Sequence, residues 1–521
     1  MLITGALNGA RFVACVGLVA VHFPFPPIMA DVSFIAHRPD RPVSPSTPPV
    51  LLDLSTADWI VVAAYFVFLL YLGFRGSALS RGSSEQFLLG GRMLSLPGFV
   101  AALVATWYGG ILGVGEFSYL YGIANWFVFG FPYYVFAVIF ALFLAGRIRE
   151  TGRFSIPDQL FHSYDRKTGL LVSILVFFNT SPAPYLLMMA VLLQVVTGWP
   201  FEICLGIGAL ISMLYVFAGG FRAVVRTDLL QFSLMFGGFL LLLAFLLPRY
   251  GLVPFLAQNL PPLHLTLTGG HSWQYILVWF FIALWTLVSP QFHQFTLSAR
   301  SPRTARQGIF LSVGFWFVFD TITTLSGLYA RALLPDLAQP GMAYPLLADH
   351  VLPTVAKGIF FVGMLATVMS TTDGLTFIAG LTLGRDILAR WGGHDNDRAV
   401  TRQTQWGVVI TTTLSAAAVL LVPSVIDLWY IIGTLFIPAL LLPLAVTYYP
   451  RFLISNRMTF TAMLGGFLLS VLSLTLGQLQ HGDGPISYPF GIEPMYLGLG
   501  FSVLVYLFAG LRRRAEHSRT A

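Results

Sequence analysis

The sequence predicts an all-α membrane protein of about 13 transmembrane helices, and three observations carry that expectation. Of the 521 residues, 56% are hydrophobic and only 10% charged, with a mean hydropathy of +0.78, whereas soluble domains carry roughly 25% charged residues. Apolar runs of about 20 residues, enough to cross a bilayer core of ~30 Å, recur along nearly the whole chain. The connecting loops are short and carry Gly, Pro and Arg, which leaves no room for a large soluble domain.

The first four spans are expected near 51–74, 94–121, 126–146 and 168–197. The next four fall near 202–218, 228–248, 274–297 and 308–330, and the last five near 354–380, 405–422, 425–448, 459–477 and 492–511. Cytoplasmic loops of membrane proteins hold the excess of Lys and Arg. Placing the loop after the first span inside puts 23 basic residues on the cytoplasmic side and only Arg249, Arg331 and Lys357 on the other. The net charge of +7 therefore reflects topology, and no nucleic-acid partner is expected. Arg512, Arg513 and Arg514 cap the last helix, so 512–521 reads as a short basic cytoplasmic tail. The expected setting is the lipid bilayer of the plasma membrane, that of a bacterial cell, crossed many times.

Residues 1–50 stand apart from this pattern. Phe12 to Val21 forms a short signal-like core, and Pro39 to Pro49 is a Pro- and Ser-rich linker. A cleaved signal, an extra helix and an upstream start-codon artefact are the readings open here. The two cysteines, Cys15 and Cys204, lie in apolar stretches without metal or redox spacing.

Within 51–511, the run from Leu365 to Gly374 places Thr367, Ser370, Thr371, Thr372 and Asp373 inside an apolar span. A carboxylate near the bilayer centre costs on the order of 2.5 kcal/mol or more, so such groups normally face a bundle interior or a solute path. Thr367, Ser370 and Thr371 stand at i, i+3 and i+4, which puts them on one helix face, and hard monovalent cations prefer oxygen ligands. The alternative is that each hydroxyl bonds back to its own helix.

Span two carries Gly109, Gly110, Gly113 and Gly115 just before Glu116, and each glycine weakens a helix by about 1 kcal/mol relative to alanine. A break here would expose backbone carbonyls that can replace a cation's hydration shell; a glycine face for close packing is the other reading. Asp320, halfway along span eight, is either a coupling-ion or proton site or a protonated core residue. Glu116 is a candidate for gating or solute contact. Asn179 to Tyr185 carries Pro182 and Pro184, which kinks span four, and span seven ends in Trp285, Thr286, Ser289, Pro290, Gln291 and His293.

These segments together resemble the sodium:solute symporter family over residues 51–511. The matching elements are Gly90-Gly91-Arg92 within Gln86 to Pro97, Ile156-Pro157-Asp158 after the third span, and Gly219-Gly220 through Thr227-Asp228 to Gln231. The run around Met369, Ser370 and Thr371 is similar to the family's Met-Ser-Thr helix. The resemblance implies a five-plus-five inverted repeat of leucine-transporter type, built from spans two to six and seven to eleven, with spans two and seven broken. It further implies a sodium ion held by the Ser370 and Thr371 hydroxyls and by carbonyls of Thr367, Ala105 and Tyr108. Asp373, Glu116 and Asp320 are the candidates for a second ion or proton site, and Trp107, Tyr108, Leu112 and Trp285 for solute binding, with the kinked part of span four.

Some residues depart from the family pattern. Trp107 occupies a position that is acidic in proline-type members, and Phe295 stands where many members carry Arg. The Ala-Thr-Trp with paired glycines is closer to the choline-type branch, yet the end of span four offers Ala183 and Pro184 in place of a Trp, which leaves a quaternary-ammonium cage incomplete.

The expected function is secondary active transport: sodium-coupled symport of a small organic solute by alternating access. Amino acid, monocarboxylate, sugar, vitamin and quaternary amine remain open, and no cofactor beyond the sodium ion is expected. The alternatives are proton coupling on the same fold and a sensor that does not transport. No metalloprotease, paired-aspartate or nucleophile motif points to an enzyme.

Overall fold

The computed structural model describes residues 51–79, 83–393, 396–421, 425–480 and 488–520, so the N-terminal extension of 1–50 lies outside the described residues. The chain is helical throughout these segments; the one β-type pairing found among them is an isolated bridge between Leu94 and Ala299. The membrane helices are α1 Thr56–Leu79, α2 Leu96–Trp107, α3 Ile111–Tyr121, α4 Trp126–Glu150, α5 Arg166–Asn179, α6 Ala183–Thr197 and α7 Phe201–Tyr250. There follow α8 Trp273–Ile282, α9 Trp285–Val288, α10 Pro290–Ser298, α11 Pro302–Leu333, α12 Ala356–Gly392, α13 Asp397–Leu421, α14 Val425–Thr447, α15 Asn456–Gln480 and α16 Pro494–Thr520.

Eleven helices among the described residues are long and apolar enough to cross a membrane, or 12 when the bent pair α2 and α3 counts as one. The difference from the 13 expected lies in α7. At 50 residues it would reach ~75 Å, far beyond one bilayer core, and it breaks at Gly220, whose φ of 59° and ψ of −149° suit a residue without Cβ. The sequence reading divides the same stretch into two spans.

Three other breaks have local causes. Between α2 and α3 the axis bends by 62° over Tyr108, Gly109 and Gly110. Between α5 and α6 the chain turns through Thr180, Ser181 and Pro182; the Ser181 N–H goes to the Phe178 carbonyl, and the Thr180 hydroxyl donates to the Phe177 carbonyl at 3.0 Å, satisfying one group that the interruption frees. Between α9 and α10, Pro290 forces its predecessor out of the helical region: Ser289 has ψ 118° and caps α10 through its hydroxyl to the Phe292 N–H. Spans two and seven, the pair expected to be broken, are therefore both interrupted.

α12 lies at the centre. Every residue from Phe360 to Leu381 is buried, as befits a helix that is apolar all round, and its most extensive packing is against α7.

Candidate functional site

Of Thr367, Ser370 and Thr371 on α12, two send their hydroxyls away from their own helix. Thr371 Oγ1 donates to the Thr106 carbonyl at 2.6 Å, and Ser370 Oγ donates to Asp228 Oδ1 at 2.6 Å. Thr106 Oγ1 donates to Asp228 Oδ2 at 3.3 Å and lies 3.3 Å from Ser370 Oγ. Thr106 sits in the last turn of α2, where carbonyls lose their intrahelical partners; there the Tyr108 N–H reaches back to the Ala105 carbonyl at 3.4 Å. A Cβ on Gly109 would stand 2.2 Å from Thr371 Oγ1, so glycine is what lets α12 rest against the break. Oxygens from α2, α7 and α12 thus meet in a buried cluster. No Lys, Arg or His forms an ion pair with Asp228 among the described residues.

Thr367 does not share in this. Its hydroxyl bonds back to the Gly363 carbonyl at 2.7 Å, as Thr372 does to Val368 at 2.9 Å, so for the Thr367 side chain the back-bonding alternative holds, which leaves only its carbonyl as a candidate ligand. Asp228, which in the sequence stands out only within the Thr227-Asp228 element, is the functional candidate that sequence reasoning misses.

The candidates for a second ion site are scattered. Asp373 is fully buried and accepts from Ser212 Oγ and Tyr215 Oη of α7, before the Gly220 break, whereas Asp228 lies after it. Glu116 comes near Gly341, whose Cβ would lie 3.7 Å from Glu116 Oε2, and does not reach the cavity described next. Asp320 accepts from Tyr108 Oη on one oxygen and Tyr134 Oη on the other. These three carboxylates do not form one site.

A cavity of about 160 Å³ opens beside the α2/α3 break. The three broken spans converge on it: Trp107, Tyr108 and Gly110 from span two, Asn179, Ser181, Pro184 and Tyr185 from span four, and Ile282 and Trp285 from span seven. Trp285 Nε1 donates to Asn179 Oδ1 at 2.9 Å, tying two of the breaks together. A π-helical turn, Trp126–Gly130, brings Phe129 and Gly130 to the wall; such turns recur at functional sites. Trp107, Tyr108, Trp285 and Asp320 line the cavity, whereas Leu112 is buried but is not among the lining residues. Trp285, Trp316 and Trp429 add indole rings to the cavity wall, while span four contributes Pro184 and Tyr185. Phe295, in a position often held by Arg, packs against Phe99 and Phe221 with ring centroids 6.5 and 5.4 Å away, an apolar niche.

On the Lys- and Arg-rich face, the short helix Ile156–Ser163 docks on the end of α12. Asp158 pairs with Arg385 at 3.4 Å and with Arg390, and Ser155 Oγ donates to Asp386 at 2.6 Å. Burial pushes the Asp158 carboxyl up, but Arg385, the Phe154 N–H and Arg390 outweigh it and hold it below its ordinary range. At the opposite end, in the connection before α8, the His271 ring stacks on Tyr275, 4.3 Å away between centroids, and lies 4.3 Å from Tyr121 and 5.5 Å from Phe117.

Interrupted helices in corresponding spans, with buried oxygens and a cavity at the interruptions, define a multi-pass membrane protein built like an inverted-repeat transporter. The sodium:solute symporter family model matches residues 87–453, and the chain belongs to that family. It is 26% identical over 291 residues to a sodium/pantothenate symporter of Haemophilus influenzae, covering 53% of this chain and 60% of that protein. It is 27% identical over 401 residues to sodium/glucose cotransporter 4 of Danio rerio, covering 66% and 60%, so the chain spans about 60% of the length of these relatives. A high-affinity choline transporter of Torpedo marmorata is 23% identical over 499 residues, covering 87% and 83%. The structure of a Na+-coupled sialic acid symporter in a substrate-bound outward-open state superposes with a TM-score of 0.72 at 15% identity, covering 88% of this chain and 98% of that one. That likeness shows the fold, the leucine-transporter-type core expected from the sequence.

Proposed function

We propose that the protein is a secondary active transporter, not an enzyme, that couples sodium entry to uptake of a small organic solute across the plasma membrane by alternating access. The observation that carries this reading is the Asp228 cluster: a fully buried carboxylate without a basic partner among the described residues, facing the hydroxyls of Ser370 and Thr106 at the mouth of a broken helix. An uncompensated buried charge is costly, and a monovalent cation among oxygens supplies the missing charge. The Ser370 and Thr371 hydroxyls, Asp228, and carbonyls of Ala105, Tyr108 and Thr367 would hold the sodium ion, while Trp107, Tyr108 and Trp285 border the solute cavity next to it. Membership of the sodium:solute symporter family and the sodium-coupled relatives support the choice of ion.

The test is thermal unfolding of the purified full chain in sodium chloride and in potassium chloride. Sodium stabilises wild type over potassium, as any ligand that binds the folded state must, and Ser370→Ala combined with Thr371→Ala removes the difference while the protein remains folded in detergent. A sodium effect that survives the double substitution sinks the site.

A further inference from the structure

The cavity's lining has an unusual chemical balance. Eleven of its 23 lining residues are aromatic, Asp320 is the single carboxylate, and none is Lys, Arg or His. The indoles form a continuous wall: Trp107 lies 5.2 Å from Trp285 and 5.8 Å from Trp316 between ring centroids. Trp316 and Asp320 are four residues apart on α11, so ring and carboxylate share one face, one turn apart. Aromatic faces attract cations through their quadrupole. The carboxylate keeps acceptor capacity after taking one tyrosine hydroxyl on each oxygen, because each oxygen has two lone-pair directions.

Other solute classes fit this wall poorly. An anion would face Asp320 with no basic side chain on the lining to receive it, and like charges repel strongly where water is scarce. A polyhydroxylated neutral solute needs many hydrogen-bond partners, and rings, glycines and aliphatic side chains make up most of the lining. One polar group does stand ready: Asn179 Oδ1 is engaged by Trp285 Nε1, which fixes the amide's orientation, while Asn179 Nδ2 is buried and unpartnered at the cavity.

We infer that the cavity selects a small organic monocation, its ammonium seated against the Trp107, Trp285 and Trp316 wall facing Asp320 and an uncharged oxygen of the solute accepting from Asn179 Nδ2. This assignment rests on the symport reading and names the solute class for that same site.

The experiment compares probes of matched shape on the purified full chain in sodium chloride, by thermal shift titration. The probes are choline, its neutral carbon isostere 3,3-dimethylbutan-1-ol, the zwitterion glycine betaine, and 2-aminoethanol. At least one of the two cations stabilises the protein, with half-saturation at least about 30-fold below that of the neutral isostere, the ratio expected when a buried charge pair loses one member. Asp320→Asn brings that ratio near one; if the variant does not fold, the wild-type comparison decides alone. Equal binding of the isostere, tighter binding of betaine, no stabilisation by either cation, or a preference that survives Asp320→Asn overturns the assignment. Sodium-over-potassium stabilisation without any probe, measured on the same sample, tells this failure from failure of the symport reading: only loss of that sodium effect removes the latter.

Discussion

The Thr371 hydroxyl donates a 2.6 Å hydrogen bond to the Thr106 carbonyl, joining the central helix to the last turn before the chain bends by 62°. The bond satisfies a carbonyl that the interrupted helix has freed. Thr371→Val keeps the shape and removes the donor. We expect a loss of about 1 kcal/mol in stability, the scale of a polar contact within a membrane protein, together with weaker sodium stabilisation. Thermal unfolding in detergent, with and without sodium, checks both; an unchanged sodium response would show that this hydroxyl serves packing alone.

Asp228 provides a sharper test. Asp228→Asn keeps hydrogen-bonding capacity toward Ser370 and Thr106 but removes the charge that a sodium ion would balance. The sodium-dependent shift should fall by at least tenfold in apparent affinity, about 1.4 kcal/mol, while stability in potassium is retained or rises as an unpaired buried charge disappears. Equal sodium affinity in the variant would remove Asp228 from the site.

The His271 stack makes the fold sensitive to acid. Burial draws the imidazole down to about 4 from an ordinary value near ~6.5, so between those values the unfolded chain binds a proton that the folded one does not. The stability contributed by the neutral ring is complete above ~6.5 and declines as pH falls toward 4. His271→Phe retains the stacking and loses the titration. Its Tm should therefore decline less steeply than wild type over that interval, in a pH series of melting curves.

Asp158 shifts in the same direction, over a more acid interval. Held below the ordinary carboxylate range by its arginines, it stabilises the fold above ~4 and loses that contribution only as pH drops through its lowered value. Asp158→Asn should cost about 1–3 kcal/mol, by an amount that does not vary between pH 5 and 8. A cost that changes across that interval would contradict the assignment.

Composition and span length made the membrane class readable, because crossing a bilayer demands long apolar runs. Proline and glycine made the breaks in spans two, four and seven readable, because those residues disturb helices by local sterics alone. Asp228 escaped because it is the first residue of its expected span, 228–248, next to the basic loop that carries Arg222 and Arg226, and read as a span end; the structure continues helix on both sides of it. Asp373 drew attention for the polarity of its surroundings in sequence, yet its partners Ser212 and Tyr215 come from another helix, and only folding shows which way its carboxylate turns. The aromatic wall escaped for a similar reason. Trp316 and Trp429 lie on apolar helices where, without three-dimensional neighbours, a ring facing a cavity cannot be told from one facing lipid.

The enclosure of α12 limits how the protein can diversify. From Phe360 to Leu381 no side is free, so a substitution anywhere along that stretch meets packed neighbours. α16, by contrast, exposes Leu504, Leu507, Phe508 and Leu511, where one apolar residue can replace another at little cost. Changes to the cavity wall are therefore easier to accommodate at surrounding rings such as Trp429, Trp285 and Tyr185 than on the enclosed central helix, where each added or lost methylene is felt by packed neighbours.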